Sequence, residues 1–494
     1  MVDEAWADGY VVDVDYTHGF YPDLAPLNLA MAAVLAGRGA PDPQTPFTYL
    51  ELGCGNGFST ALLAAAHPHA RFWGNDFNPS HIHNARATAQ AAGTDNVTFL
   101  EASFEAMVDA ELPEFDIIVM HGIWSWVSAA NRHFIVELIQ RRLKPGGLVY
   151  VSYNCQPGWA GVAPLRRLMK LGVNDTAAAA SDRVAQALGF ARTMRDAGAG
   201  YFAAFPQVGV VLDQMAEQDP IYLTHEYLNE QWWLFYQDEV AEALLPARLG
   251  YVAQARLIDG FDQFNFTAGQ RAMMTASPTT APEVVRDYML NRRFRRDVYG
   301  LGVPVLRPAE VSRWVSGRRF ALARLRAACP LKFKGMAGEF DLTPHVFDAV
   351  LDALVAGPAT MAGLVTMPGV AGLEARHVEQ ALGVLCALGY VQPALDASGD
   401  AERKASTDRF NAAALASAVA GRPVAALASP VTGSGIALPG PEQVFLAAIL
   451  RGEGAESQAA ALAPESEAQQ SAMTLRARSF ERNGISVLRA LQVI

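Results

Sequence analysis

An acidic residue and three glycines stand at alternate positions in the segment YLELGCGNG, which spans residues 49–57. These residues are Glu51, Gly53, Gly55 and Gly57. Glycines at this spacing allow a sharp turn and let a ligand approach the backbone closely. A carboxylate just before them suits a ligand with an ammonium group, whereas a pyrophosphate would use the N-terminus of the next helix. The segment therefore predicts a nucleotide-like ligand with an amino-acid end, and a tight turn without a ligand is the alternative.

Two further positions suit the rest of such a ligand. Asp76 lies 25 residues after Glu51, at the end of the next predicted strand. A carboxylate there can accept hydrogen bonds from both hydroxyls of a ribose, or it can simply cap the helix that Pro79 opens. At the end of the third predicted strand, Ser103 could meet the edge of an adenine and Phe104 its face, although Phe104 also suits a core position.

Polar and aromatic residues follow the fourth and fifth predicted strands. His121 and Trp124 follow the fourth strand, and Tyr153 and Asn154 stand at the end of the fifth. Ligands bind at the carboxyl edge of the strands in open α/β sheets, so these four are the predicted catalytic residues. Tyr153 and Asn154 are the better candidates, because polar groups after a buried strand need a partner. His121 could equally bond a neighbouring loop.

Other aromatic and polar residues leave two interpretations open. Trp126 and Trp159 suit core or hinge packing better than a cage around a methylated ammonium. The segment YTHGFY, residues 16–21, could fold over the ligand as a lid or dock as an ordinary N-terminal helix. His225 and Glu226 are adjacent, so they would not share a helix face. We therefore expect an N-cap or an interdomain contact there and no metal pair.

The elements that must position these residues alternate between strand and helix from residue 47. Strands are predicted at 47–52, 71–75, 97–100, 115–121 and 148–153, and helices at 59–66, 79–92 and 131–143. This order predicts a parallel sheet covered on both faces. The later chain is mainly helical in pattern. The predicted fold class is α/β, a Rossmann-like sheet followed by mainly helical accessory domains.

The chain has 494 residues, which is too many for one hydrophobic core. The expected divisions are an N-terminal lid segment (1–46), a ligand-binding sheet domain (47–160), a helical insert and middle domain (161–300), a winged-helix-like domain (301–395), a polar linker (396–406) and a helical C-terminal domain (407–494). Within the middle domain, residues 221–260 could complete the sheet.

Together the motifs carry a family resemblance. ELGCGNG, NDF, EASF and LKPGG, with HGIWSWV after the fourth strand, resemble the class I S-adenosylmethionine-dependent methyltransferases. HGIWSWV, SYNCQPGW, HEYL, FRRDVYG and LASPVTGSGI are similar to members that carry a methyltransferase regulatory domain. Those members include the rickettsial protein lysine methyltransferases that modify outer-membrane proteins. The similarity spans nearly the whole chain, but Ser103 departs from it, since many class I enzymes have Asp there.

The resemblance implies S-adenosylmethionine as cofactor and S-adenosylhomocysteine as product. The cofactor-binding residues it implies are Tyr16, Glu51, Gly53, Cys54, Gly55, Gly57, Asp76, Phe77, Ala102, Ser103, Phe104 and His121. The implied function is N-methylation of lysine side chains in proteins. A small-molecule or natural-product methyltransferase is the second hypothesis, and a cofactor-binding regulator without turnover is the third.

Composition and charge limit the classes of binding partner that we expect for this protein. The net charge is −11, and residues 339–395 carry a single arginine, Arg376, among acidic residues, so nucleic acid is not an expected partner. The four cysteines lie far apart, which predicts neither a metal site nor disulfides. With no signal peptide or long apolar run, we expect a cytoplasmic protein without membrane insertion.

A protein or peptide substrate is favoured, and homodimer formation is left open. The arginines at 292–296 favour a solvated face or an interdomain ion-pair network over a dock for an acidic substrate.

Overall fold

The structure is a computed structural model that describes residues 19–175, 178–463 and 466–494. Its main sheet contains β1 (Thr48–Leu52), β2 (Arg71–Asp76), β3 (Val97–Glu101), β4 (Phe115–Met120), β5 (Leu143–Asn154), β6 (Leu249–Gln254) and β7 (Phe294–Leu301). The strand order is β3-β2-β1-β4-β5-β7-β6. Strands β1 to β5 are parallel, whereas β7 runs antiparallel between β5 and β6. The α/β fold class predicted from the sequence is confirmed.

Helices cover both faces of this sheet because its strands are apolar on both faces. They are α1 (Pro26–Leu35), α2 (Phe58–Ala66), α3 (Pro79–Ala91), α4 (Phe104–Asp109) and α5 (Ala129–Arg142). The first three share one apolar core with the sheet, and α4 and α5 share the other. Successive residues of a strand point to opposite faces. Tyr150 of β5 therefore packs on the α2 side, while Val151 and Tyr153 pack on the α5 side.

A helical cap follows β5. It contains α6 (Ala163–Leu171), α7 (Ala180–Asp196), α8 (Gly200–Ala204), α9 (Pro206–Met215) and α10 (Pro220–Leu223), and it ends in a π-helical turn at Thr224–Leu228. Leu165, Val208 and Leu212 are fully buried in an apolar core that belongs to the cap. The cap thus forms a separate wall above the carboxyl edge of the sheet.

The chain then returns to the sheet through α11 (Gln237–Leu244), β6, α12 (Asp262–Asn265), α13 (Ala268–Ala276), α14 (Pro282–Leu290) and β7. Strand β6 lies within residues 221–260, the range expected to complete the sheet. It joins the sheet through β7, which the sequence analysis did not identify as a strand.

The next region holds α15 (Pro308–Ser316), β8 (Arg319–Leu322), β9 (Lys332–Gly335), β10 (Gly338–Asp341), α16 (Pro344–Leu354), β11 (Ala359–Thr360), α17 (Met361–Leu364), α18 (Ala375–Ala387) and β12 (Val391–Ala394). Strand β8 pairs antiparallel with β11 and β12, and β9 pairs with β10. The winged-helix interpretation of this region stays a prediction.

The C-terminal region contains α19 (Asp400–Val419), β13 (Ala426–Ser429), β14 (Ser434–Ala437), α20 (Gly440–Leu450), α21 (Ala459–Leu462), α22 (Glu467–Ser479) and α23 (Ile485–Ala490). The linker predicted at 396–406 is wrong, because most of it forms the first turns of α19. Lys404 pairs with Asp408 one turn later at 2.7 Å, and Arg319 anchors Asp400 at 3.1 Å. Charged residues at helical spacing therefore stabilise a helix where composition indicated a linker.

Short 3-10 turns lie at Pro22–Leu24, Leu245–Ala247, Leu257–Gly260, Arg326–Ala328, Ala397–Gly399 and Ala455–Gln458, and a second π-helical turn lies at Phe480–Gly484. Within the described ranges, no helix is both long enough and apolar enough to cross a membrane.

The C-terminal region packs on α2, the helix that follows the glycine segment. The rings of Phe58 and Phe410 lie 5.8 Å apart between centroids. Gly433 lies against His67, the residue that follows α2, so closely that a Cβ at this glycine would stand 2.6 Å from the ring. The outer side of α2 is thereby fixed by residues more than 350 positions later in the chain.

A buried arginine fixes β7 to the sheet. Arg295 has no exposed surface, and its guanidinium contacts Glu283 at 2.7 Å, Asp287 at 2.7 Å and Asp297 at 2.9 Å. Asp297 also accepts a hydrogen bond of 2.6 Å from the Tyr153 hydroxyl of β5. The ion pairs therefore connect β7 to α14, and the Tyr153 bond connects it to the neighbouring strand.

Replacing Arg295 by Met should destabilise the protein by about 3–5 kcal/mol, because it leaves buried carboxylates without their cation. Arg307→Met is the matched control, since its ion pair with Glu310 lies at the surface. The measurement is the chemical denaturation of both variants followed by circular dichroism. Equal, small shifts for the two variants would contradict the role assigned to Arg295.

Candidate active site

The glycine segment forms a tight loop between β1 and α2. Gly53, Gly55 and Gly57 have φ of +66°, +53° and +67°, a region that glycine adopts without strain. A Cβ at Gly53 would lie 2.2 Å from Ile123, and one at Gly57 would lie 2.5 Å from Ala85. A Cβ at Gly55 would have no protein atom within 4 Å. Two glycines thus permit close packing, while Gly55 leaves space for a ligand.

This loop lines a cavity of about 520 Å³ at the carboxyl edge of the sheet. Eleven of the twelve cofactor-binding residues implied by the sequence meet there: Glu51, Gly53, Cys54, Gly55, Gly57, Asp76, Phe77, Ala102, Ser103, Phe104 and His121. The twelfth, Tyr16, lies outside the described residues. The structure therefore brings the implied cofactor residues together at one end of the cavity, which we call the cofactor end.

Glu51 is the buried acid of the cofactor end. Its carboxylate accepts a hydrogen bond from the Thr60 hydroxyl of α2. Burial raises the pKa of Glu51 to about 7, and the Thr60 bond opposes the shift only in part. A cationic ligand group beside Glu51 would favour its ionised form.

Asp76 holds the loop and the following helix together. Its carboxylate accepts hydrogen bonds from the Gly55 amide at 3.0 Å and from the Asn78 amide at 2.9 Å. His81 contacts the same carboxylate at 3.2 Å. Oδ1 holds the contacts with Asn78 and His81, whereas Oδ2 accepts from Gly55 and can accept a second bond, so a contact with a ribose hydroxyl remains open to it. That role of Asp76 stays a prediction.

The cofactor end also contains buried polar atoms whose hydrogen-bonding capacity is not used by the residues that the structure describes. Asn75 Oδ1 and His81 Nε2 have no hydrogen-bond partner in the described part of the chain. Ser103 caps α4 by accepting a bond of 3.1 Å from the Ala106 amide, and it lines the cavity beside Phe104. Buried polar groups are normally satisfied, so these atoms fit a polar ligand such as the adenosine of S-adenosylmethionine.

His121 lines the cavity as a neutral ring. Its Nδ1 lies 2.8 Å from the Tyr150 hydroxyl, and the Tyr21 ring stacks on it at 3.7 Å between centroids. Burial, and to a smaller extent Arg296, lower the pKa of His121 to about 3. It therefore does not take up a proton at neutral pH, and a role as general base is not supported.

Two of the predicted catalytic residues do not line the cavity. Tyr153 points to the opposite face of β5, where its hydroxyl donates to Asp297. Trp124 is fully buried in the core beneath α5, and Trp126 lines the cavity instead. The catalytic predictions for Tyr153 and Trp124 are therefore wrong. Successive side chains of β5 point to opposite faces, so Tyr153 does not share the cavity with Asn154. Trp124 lies in the loop after β4, and its ring packs into the core.

Asn154 is the predicted catalytic residue that the structure places at the far end of the cavity. It is 4% exposed, and its backbone amide donates to Ser125 Oγ at 2.8 Å. Its side-chain nitrogen has no hydrogen-bond partner among the described residues. We call this far end, beyond His121, the acceptor end.

The acceptor end contains residues that sequence analysis gave other roles or did not consider. They are Trp126, Trp159, Tyr222, His225, Glu226 and Arg293. Burial raises the pKa of Glu226 to about 7, against the opposing charge of Arg166. The π-helical turn at Thr224–Leu228 brings both His225 and Glu226 to the cavity, which the helix-face argument did not anticipate. In the sequence, the HEYL motif at residues 225–228 was the feature that could have indicated this part of the site.

No group of three potential metal ligands occurs within residues 19–175, 178–463 and 466–494. The acceptor end offers the carboxyl group of Glu226, the imidazole of His225, the amide of Asn154, the guanidinium of Arg293 and a set of aromatic rings.

Gly55→Ala should weaken binding of S-adenosylmethionine on the order of tenfold or more, because the new methyl group occupies ligand space. Gly146→Ala is the control, since Gly146 also has a positive φ and open surroundings but lies outside the cavity. Both changes cost about 1 kcal/mol of backbone strain. Calorimetric titration distinguishes them, and an equal loss of affinity in both would contradict a ligand at Gly55.

Binding of S-adenosylmethionine should weaken as the pH falls below about 7. Ionised Glu51 attracts the cations of the ligand, and below its pKa of about 7 a proton must first leave. The affinity should then fall by up to about tenfold per pH unit and stay level above pH 7. In Glu51→Gln most of this dependence should be lost. A wild-type affinity that is constant between pH 5.5 and 8 would contradict the assignment.

Comparisons with known proteins agree with this geometry. A model described as a methyltransferase domain matches residues 45–186, and one described as a predicted methyltransferase regulatory domain matches residues 219–300. PKMT2 from Rickettsia typhi, solved in complex with AdoHcy, shares the fold with a TM-score of 0.67 at 20% identity. That similarity covers 87% of this chain and 88% of the rickettsial chain.

Relatives at the sequence level extend over most of the chain. The protein sll1526 of Synechocystis is 41% identical over 444 residues, which cover 90% of this chain and 88% of that protein. RP789 of Rickettsia prowazekii is 28% identical over 57% of this chain and 51% of its own length. With S-adenosylmethionine as its cofactor, the chain belongs to the class I methyltransferases that carry a methyltransferase regulatory domain.

Proposed function

We propose that this methyltransferase N-methylates lysine side chains of protein substrates. The observation that carries the proposal is the continuity of the cavity. It runs from the glycine loop to a chamber that holds Trp126, Trp159, Tyr222 and the carboxyl group of Glu226. This chamber combines a surface for a cationic alkyl chain with a group that can take up its proton.

Proton removal is the first requirement for an amine acceptor. A lysine ammonium must lose a proton before its nitrogen can attack, which costs about 4–5 kcal/mol at pH 7. Glu226 has a pKa of about 7, so about half of it is ionised at that pH and free to accept the proton. Its pKa near the working pH is the property expected of a general base.

Positioning is the second requirement. Bound S-adenosylmethionine would supply the methyl group, which the lysine nitrogen takes in line while the carbon–sulfur bond breaks and S-adenosylhomocysteine leaves. Trp126 and Trp159 present aromatic surface to the acceptor chain and hold a cationic amine by attraction to their rings. Asn154, whose amide nitrogen is unsatisfied within the described ranges, donates a hydrogen bond to an oxygen of a bound molecule.

Access to the acceptor end supports a macromolecular substrate. Tyr222 lines the cavity and is 38% exposed, so the chamber reaches the surface beside the cap. A lysine side chain is long enough to reach inward while its backbone remains outside. The sequence resemblance to rickettsial protein lysine methyltransferases supports the same acceptor class.

The proposal is tested by incubating the protein with methyl-labelled S-adenosylmethionine and a bacterial extract. We expect label in protein bands, and acid hydrolysis should release it as Nε-methyllysine. Base-labile label would indicate carboxyl methylation, and label confined to small compounds would indicate a small-molecule acceptor. Either result would overturn the proposal.

Glu226→Gln should reduce kcat on a lysine substrate by about 10²- to 10⁴-fold, because the amine loses its proton acceptor. In the wild type, kcat/KM should rise with pH through about 7. Glu230→Gln is the matched control, since Glu230 follows closely in sequence but pairs with Lys170 at 3.1 Å outside the cavity. A Glu226→Gln variant with wild-type kcat would exclude this base.

A further inference from the structure

The arginines at 292–296 are not equivalent. Arg292, Arg295 and Arg296 each pair with carboxylates: Arg292 with Asp259 at 2.9 Å and Asp287 at 3.2 Å, Arg295 with Glu283, Asp287 and Asp297, and Arg296 with Asp23 at 3.2 Å. Within the described parts of the chain, Arg293 has no carboxylate at ion-pair distance. The ion-pair network expected from the sequence therefore accounts for three of these arginines and leaves the fourth unexplained.

The side chain of Arg293 is held in place although it is exposed. Its Nε donates to the Gly158 carbonyl at 3.1 Å, and its guanidinium lies 5.8 Å from the centroid of the Trp159 ring. Its backbone carbonyl accepts a bond of 2.9 Å from Trp159 Nε1. A freely solvated surface arginine needs none of these contacts. The guanidinium therefore occupies a defined position on the cavity wall.

The topology of the sheet places Arg293 at the acceptor end of the cavity. Because β7 is antiparallel to β5, the residue just before β7 lies at the carboxyl edge of the parallel strands. Three strand spacings separate β7 from β1, which is about 14 Å. The glycine loop follows β1, and Asp76 and Ser103 stand at the ends of β2 and β3. Arg293 thus lies on the opposite side of the acceptor end from the residues that would hold the cofactor.

We propose that Arg293 forms a carboxylate subsite that selects lysines flanked by an aspartate or glutamate. The inference rests on the proposed function. The acceptor end would then carry an acid, Glu226, for the amine and a guanidinium for a neighbouring carboxylate. A guanidinium binds a carboxylate through two parallel hydrogen bonds, which lysine in its place cannot reproduce.

The test uses labelled S-adenosylmethionine and synthetic peptide pools with a central lysine. One residue beside this lysine is fixed as Glu, Gln or Lys, and the other positions vary. For the wild type we expect kcat/KM on the Glu pool to exceed that on the Gln pool on the order of tenfold, with the Lys pool lowest. Arg293→Met should remove most of this preference, and Arg293→Lys should keep part of it.

Two controls make the result specific. Arg167→Met removes an equal charge from an exposed position on the cap that does not line the cavity, and it should keep the preference for Glu. AdoHcy affinity, measured by calorimetry, should be the same in Arg293→Met and the wild type. A loss of that affinity would assign the guanidinium to the cofactor and overturn the inference.

The remaining outcomes separate this inference from the proposed function. Equal wild-type rates on the Glu and Gln pools would overturn the subsite while lysine methylation stands. Equal losses of rate on all pools in Arg293→Met would also overturn it. If the wild type methylates no lysine in any pool, the proposed function and the subsite fall together.

Discussion

The acceptor half of the cavity depends on a guanidinium buried among carboxylates. Arg295 brings Glu283, Asp287 and Asp297 together; the two aspartates are fully buried with it and Glu283 is half-buried. Such a cluster is tolerated only when each buried charge has its partner. The cluster fixes strand β7 between β5 and β6. Because β7 runs against the parallel strands, its first residues reach their carboxyl edge, where Phe294 and Arg296 line the cavity. A strand from late in the chain thereby completes a site that begins at the glycine loop.

The cavity holds two carboxyl groups whose pKa values are both raised to about 7 by burial. Their surroundings give them different tasks. Glu51 lies beside the glycine loop and accepts a hydrogen bond from Thr60, so it suits the fixed cationic end of the cofactor. Glu226 lies on a π-helical turn among aromatic rings and suits the reversible uptake of a proton. A sulfonium bound in the cavity would favour the ionised form of a carboxyl group near it.

The cofactor end could be predicted from the sequence because its signals are local. The glycines and Asp76 follow predicted strands at fixed offsets, and the parallel sheet then brings them together. The acceptor end could not be predicted in the same way. Tyr153 differs from Asn154 by one position, and that single step decides which face of β5 a side chain occupies. Glu226 and Arg293 reach the cavity only through the cap and an antiparallel strand, whose placement depends on contacts distant in sequence.

The proposed mechanism depends on one continuous cavity that holds both the cofactor and Glu226, with the sulfur of the cofactor facing the Glu226 side chain. A crystal structure of the protein with AdoHcy tests it most directly. We predict that the adenosine lies beside Asp76 and Ser103, and that the sulfur faces Glu226 along an open path beside Trp126 and Asn154. A sulfur turned away from Glu226, or separated from it by a wall of protein atoms, would contradict the account.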